Sequence, residues 1–379
     1  PEALREVFGL LCELLGGPAG AAAGWDGSNW DGSTVRVVHA LAKMAVASDH
    51  AFAAFAKCGV LGGIASALSA QEGAGDELLT INLMELVLAM VEGMAEVKDR
   101  ATVGRHLLTP LADPLGRLAR SESTMLVMTR CHAMRLLASL QSLCCSGGKE
   151  ELGTAPFEPL ATCMLSALEE ARDRELVRST LDAMVGFALS RAGLGALLAD
   201  PAGKDLASRL VAFALDRDAS GCDDDIQEQA LVILARFVQR AGEGLLKPVI
   251  FSTLRGSKTL AEAFHTALSN PEENLRCAAY ECLEVVARSA WGAAEICTRE
   301  KLVQRVSDAS VEAEPSAASW RHKCACSLLA TTRSIAEGEA AADARVVEIV
   351  TPLVPTLQAA VKAGPYGSGG QARVESEAV

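Results

Sequence analysis

The sequence predicts an all-α chain arranged as an α-solenoid. Two observations carry the prediction: a helix-favouring composition, and self-similarity with a period of 44–50 residues. Half of the 379 residues are hydrophobic but only 4% are aromatic. Ala and Leu dominate and Glu is abundant, which favours helix, and the aromatic residues that strands prefer are scarce. That much apolar material suffices for two ordinary domains or one long repeat array.

The period decides for the array. The segments CHAMRLLASL (131–140), LDAMVGFALS (181–190), EQALVILARF (228–237), CAAYECLEVV (277–286) and KCACSLLATT (323–332) align with alanine at the third position. These anchors are Ala133, Ala183, Ala230, Ala279 and Ala325, spaced 50, 47, 49 and 46 residues apart. Earlier, NLMELVLAMV places Met84 and VHALAKMAVA places Ala40 at the anchor, at spacings of 49 and 44. Bulky apolar residues return three to five positions later, the spacing of one helical face. A small residue recurring at one place is expected where neighbouring helices approach closely.

Between the anchors lie further helical runs: HLLTPLADPLGRLAR (106–120), PFEPLATCMLSALEEA (156–171), AGKDLASRLVAFALD (202–216) and TREKLVQRVSD (298–308). Turn-rich stretches such as SGGKEELGTAP separate them. Each unit therefore holds two or three helices, near the length of about 40–47 residues seen in armadillo and HEAT repeats. The expected architecture is an armadillo/HEAT-like alpha-solenoid superhelix of about seven to eight repeats over residues 1–363, each burying its face against its neighbours. GGPAGAAAGWDGSNWDGS (16–33) reads as a mobile Gly-rich loop, and residues 364–379 as a disordered polar tail. The chain opens on Pro1 inside a helical pattern, so the natural protein is expected to begin further upstream, with more N-terminal repeats.

Charge narrows the partner class. Thirty-five basic residues face 48 acidic ones, a formal balance of −13. Nucleic-acid binding needs a cationic face to displace counterions, so no nucleic-acid partner is expected. No apolar run reads as long enough to cross a membrane, since INLMELVLAMVEGM is interrupted by Glu85 and Glu92. A soluble chain with no membrane partner is the expectation. The twelve cysteines are scattered through apolar helical runs, which suits reduced thiols in the cytoplasm or nucleus.

The chemical motifs are few. In HKCAC, His322 and Cys326 lie four apart on one helical face, while Cys324 points elsewhere. A structural zinc site needs four converging ligands, usually with close cysteine pairs, and that pattern is missing. The bland alternative is that small thiols fill helix interfaces, as Cys131 and Cys277 suggest by sharing one offset, two before their anchors. Cys144–Cys145 ends a helix before SGGKEE and is expected to be exposed, with no base nearby in sequence to activate it. His39, His50, His106, His132 and His265 follow no pattern. The Gly-rich segment lacks a phosphate-gripping Lys-Ser/Thr, and TLRGSK lacks P-loop spacing. We expect no enzyme, no cofactor and no metal.

LRCAAYECLEVVARSAWG (275–292) resembles the late-repeat segment of the 26S proteasome non-ATPase regulatory subunit 5 family, in which an Ala-rich helix also runs into a short turn carrying tryptophan, here Trp291. LVQRVSD (302–308), then GPYG (364–367) before a Val- and Glu-containing ending, follow in the same order. LDAMVGFALSRAGLGALLAD (181–200) resembles a middle repeat, and the likeness runs from about residue 75 to the end. It implies a non-catalytic solenoid that binds the C-terminal small domain of one AAA+ ATPase subunit of the proteasome base, with its partner subunit, during assembly.

A partner would meet the outward positions of the anchor helices. Arg135 and Glu281 lie two after their anchors, and Asp182 and Gln229 one before. Arg236 and Arg288 lie seven beyond Gln229 and Glu281 and continue their stripes. The alternative for each is an ordinary solvated helix face. Alternative functions are another armadillo/HEAT scaffold, such as a transport adaptor or a tubulin- or kinase-associated platform, and a redox or metal protein. Transport receptors of this fold carry Asn and Trp ladders; here offset six holds Ser139, Leu189, Arg236 and Val285.

Overall fold

The structure is a computed structural model that describes residues 30, 32–57, 59–70, 76–94, 100–121, 127–145, 157–169, 173–217, 221–242, 244–255, 258–338 and 343–367. Among these residues the regular elements are all helices. The chain divides into two compact units, Pro1–Leu206 and Ala207–Val379.

In the first unit the helices are α1 (Gly32–Ala45), α2 (Asp49–Lys57), α3 (Val60–Ala70), α4 (Glu77–Gly93), α5 (Arg100–Ala119), α6 (Val127–Cys144), α7 (Phe157–Glu169), α8 (Arg174–Met184) and α9 (Arg191–Ala199). Then α10 (Pro201–Leu215) runs over the division. The anchor helices α1, α4, α6 and α8 pack on one another in succession. A second layer covers them, with α5 lying along α6 and α3, and α7 against α8. Carboxylates start the anchor helices: Asp76 accepts from the Leu79 amide at 3.1 Å and Asp173 from the Leu176 amide at 3.0 Å.

LDAMVGFALS aligns with the other anchor helices, but here α8 tightens into a 3-10 helix over Val185–Leu189. Gly186 shows why. A Cβ there would lie 2.7 Å from the Arg135 carbonyl oxygen and 2.8 Å from the Ser139 nitrogen, so the chain crosses α6 backbone to backbone. A serine pair then locks the crossing. The Ser190 amide donates to Ser142 Oγ at 3.1 Å, and Ser190 Oγ donates to the Ser142 carbonyl at 2.8 Å.

The second unit holds α11 (Asp224–Ala241), α12 (Lys247–Leu254), α13 (Leu260–Leu268), α14 (Glu273–Ala287), α15 (Ala290–Cys297), α16 (Glu300–Ser307), α17 (Pro315–Ala336), α18 (Ala344–Val350) and α19 (Val354–Ala363), the last two joined by a 3-10 turn. Here the repeat is plainly three helices, two short and one long: α12–α13–α14, then α15–α16–α17. The long helices α11, α14 and α17 pack in succession, as in the first unit. This is the armadillo-type repeat. Thr259 and Glu262 form a reciprocal capping box at the start of α13. Ser289 turns the chain from α14 into α15 by accepting from the Gly292 amide at 3.2 Å. Beside it, Trp291 meets Phe251 edge-on with ring centroids 6.0 Å apart.

Six of the seven anchors, from Met84 to Ala325, are buried. The seventh needs correction: Ala40 is exposed, and the inward face of α1 is Val38, Leu41, Ala42 and Ala45. Two alanines stand two apart in VHALAKM, so a small-residue alignment can settle on the wrong one, whereas the i, i+3, i+4, i+7 set chooses Ala42.

Of three further expectations, one falls outside the described residues and two change. The Gly-rich loop 16–33 lies almost wholly outside the described residues, and α1 already begins at Gly32. The tail was placed at 364–379, but 364–367 form an ordered turn: the fully buried Arg321 donates to the Pro365 carbonyl at 2.9 Å and to the Val306 carbonyl at 2.8 Å. Lastly, 344–363 is long and apolar enough by composition to cross a membrane, unlike the sequence expectation. It bends through the 3-10 turn at Thr351–Leu353, carries Arg345, Glu348 and Lys362, and buries Val350, Leu357 and Ala360 while packing on α17.

A buried polar knot closes the last three-helix repeat. Glu312 precedes α17 and accepts from Arg276 Nε at 2.9 Å, Arg305 Nη2 at 3.0 Å and the Tyr280 hydroxyl at 3.0 Å. Burial, and then the Glu312 carboxylate, push the Tyr280 phenol up, so it stays a donor.

Candidate functional site

The outward faces of the anchor helices are the surface on which the sequence placed its candidates. In the first unit, α4 shows Leu78, Asn82, Glu85, Ala89 and Glu92 to solvent at helical spacing. On α6 the matching stripe is Met128, His132 and Arg135. Polar rungs join the stripes. Thr129 Oγ1 donates to Glu77 Oε1 at 3.1 Å, and His132 Nδ1 lies 2.9 Å from Glu85 Oε1. Arg135 spans three anchor helices, with Nη2 3.5 Å from Glu92 of α4 and Nη1 3.1 Å from Asp182 of α8.

Two of the six candidates, Arg135 and Asp182, are thus brought together in one ion pair. Half-exposed pairs of this kind contribute only ~0–1 kcal/mol to stability. His132 sits lower than an ordinary imidazole because burial disfavours its cation, with Glu85 acting in the opposite sense. At neutral pH it is therefore an uncharged rung.

The other four candidates lie in the second unit. Gln229 is half-buried and Arg236 exposed on α11; Glu281 is half-buried on α14, with Arg288 exposed just past its end. Arg288 turns to its own helix, holding Glu284 through Nε at 2.9 Å and Nη2 at 2.8 Å. The buried Glu284 also accepts from Ser327 Oγ of α17 at 2.5 Å. Sequence reading missed Glu85, Glu92, Glu284 and Ser327, and left His132 unassigned. A signal was present. Glu85 and His132, like Arg135 and Asp182, stand 47 residues apart, one repeat length, where neighbouring anchor helices meet.

The thiols behave as packing. His322 Nε2 lies 3.6 Å from Cys326 Sγ, yet burial lowers the imidazole and raises the thiol, so both are held neutral rather than as a thiolate–imidazolium pair. Cys144, expected to be exposed, is buried, with its thiol pushed up to about 11; Cys145 is half-buried. Cys131 and Cys297 are raised by burial to about 11 and about 12. Among the described residues no three His, Cys, Asp or Glu side chains converge as metal ligands would. The second unit also has a groove of about 690 Å³ between α12, α13 and α15, lined by Phe251, Leu254, Arg255, Lys258, Glu262 and Glu295.

No protein-family profile and no curated protein matches the sequence. Among solved structures the chain is similar to a designed armadillo repeat protein, at 15% identity and a TM-score of 0.39, over 69% of this chain and 96% of that one. Two engineered proteins from a structural genomics consortium are also similar. One shows 14% identity and a TM-score of 0.45, covering 93% of this chain and 95% of its own. The other shows 15% identity and a TM-score of 0.40, covering 74% and 96%. The repeat architecture itself rests on the stacking of the anchor helices within each unit.

Proposed function

We propose that this chain is a non-catalytic, cytoplasmic binding scaffold that holds the C-terminal small domain of a proteasomal AAA+ ATPase subunit during assembly of the proteasome base. The observation that carries a binding role is the set of outward anchor faces, whose side chains are cross-linked one repeat apart by Glu85–His132 and Glu92–Arg135–Asp182. Such rungs fix long side chains before a partner arrives, which reduces the ordering cost of association. The choice of partner rests on the resemblance of residues 275–292 and their companions to the assembly-chaperone family. In the fold those residues are the α14–α15 corner with its Ser289 cap and Trp291, LVQRVSD is α16 and its end, and GPYG is the turn held by Arg321. No nucleic acid, membrane or cofactor takes part in this reading.

The test is a pull-down of the purified chain against the six proteasomal ATPase C-terminal domains, presented singly at about 0.3 M salt, where exposed charge pairs are largely screened. Selective retention of one domain is expected. Retention of none refutes the assembly role and returns the partner to another class of protein.

A further inference from the structure

Leu78 and Met128 are two of the three large hydrophobic side chains that stand out in solvent among the described residues, at 68% and 45% exposure. They share one face. Leu78 lies seven before Glu85 on the α4 stripe and Met128 four before His132 on the α6 stripe, while the Glu85–His132 and Glu77–Thr129 contacts tie the two helices together there. Exposed apolar pairs rimmed by polar groups mark protein contacts. Beyond the pair, the α4 and α6 stripes carry two carboxylates, Glu85 and Glu92, against one guanidinium, Arg135. Glu92 and Asp182 both lie on the Arg135 guanidinium, and Glu85 is met by a half-buried imidazole. Along α4, Leu78, Glu85 and Glu92 repeat every seven residues, about 10 Å at the rise of a helix.

Resting on the reading of the anchor faces as a partner surface, we propose that the α4–α6 face receives a helical segment of a partner protein that carries an apolar residue followed by basic residues seven and fourteen positions later. The apolar residue covers Leu78 and Met128; the cations meet Glu85 and the Glu92–Arg135–Asp182 cluster. A helix lying alongside α4 repeats its face at the same interval, so apolar and cationic contacts form together. The overall charge of −13 favours a basic partner in the same sense.

The probe is a fluorescein-labelled Ala/Gln helix of about six turns with one leucine, an arginine seven residues on and another seven beyond, read by anisotropy on the full chain. Binding is expected, with about tenfold loss in the Leu78→Ser/Met128→Ser variant, the effect of losing roughly one buried side chain's worth of apolar contact. About tenfold loss is likewise expected in Glu85→Lys/Glu92→Lys. The same peptide with glutamates for arginines is expected to bind the lysine variant and not the unaltered chain, an exchange that a merely structural role would not produce. A dissociation constant above about 1 mM, equal binding to all variants, or no exchange with the glutamate peptide overturns the proposal. The ATPase pull-down separates it from the assembly role. A domain retained equally by both double variants overturns this face as the docking site while the assembly role stands. Peptide exchange without retention of any ATPase domain supports the face and refutes that role.

Discussion

Replacing Glu312 with alanine tests whether the polar knot of the second unit holds its repeat together. The carboxylate side chain is 1% exposed and accepts from two guanidiniums and one phenol, all between 2.9 and 3.0 Å. Removing one partner of a buried pair leaves uncompensated charge and costs about 3–5 kcal/mol. Arg276 keeps Glu314 at 2.9 Å and the Asn270 and Pro271 carbonyls at 3.1 and 2.7 Å, and Arg305 is only half-buried. These contacts place the cost near the lower end, about 3 kcal/mol. Because the chain has two units and need not unfold as one state, the assay is hydrogen exchange of amides in α14 and α17. About 3 kcal/mol corresponds to roughly 150-fold faster exchange. Glu314→Ala is the control, since that carboxylate is 44% exposed and its loss should cost below about 1 kcal/mol. Acceleration below about tenfold for Glu312→Ala, or an equal effect from Glu314→Ala, would refute the argument from burial.

Gly292→Ala should lower stability by about 2–3 kcal/mol, because its Cβ would stand 2.1 Å from the Val286 carbonyl oxygen. Gly195→Ala on α9, with nothing within 4 Å, should instead raise it by ~0.5–1 kcal/mol; thermal melts that rank the two variants the other way would overturn the reasoning. His132 and His322 have folded pKa values below their ordinary 6.5, chiefly through burial, so the unfolded chain binds protons first. Their contribution to stability is thus present above pH 6.5 and lost as pH falls through the lower folded values, and urea midpoints at pH 7.5 and 5.5 should show the decline, reduced in His132→Gln. Iodoacetamide on the native chain at pH 8 should spare Cys131, Cys144 and Cys297, raised to about 11, 11 and 12, and label the half-buried Cys145, Cys163, Cys277 and Cys326 ahead of them. Peptide mapping that finds the buried three labelled equally fast would contradict the packing described.

The helices and their repeat were legible because one physical demand, a small side chain where anchor helices touch, recurs in most repeats. That demand recovered five buried alanines, the spacing alone added the buried Met84, and both failed at Ala40, where a second alanine two positions on is the one that packs. The break in α8 was not legible, since Gly186 reads as a tolerable helix residue until the backbone of α6 is placed against it. On the candidate surface, Arg135 and Asp182 were chosen separately for their offsets, and only the packing of α6 on α8 shows them as partners. Arg321 illustrates the opposite failure. In sequence it is one more arginine on a polar helix, and its complete burial depends on residue 365 folding back 44 positions later.

That return fastens the turn after α19 to the longest helix of the second unit. Here α17 ties its buried cation to the Pro365 carbonyl, so prising the turn away would leave that charge with the Val306 carbonyl alone of its two backbone acceptors. For anyone trimming or tagging this protein, Arg321 needs the chain kept through Pro365, past Ala363 where α19 ends. A cut between Ala363 and Pro365 would take from that buried guanidinium one of its two carbonyl acceptors.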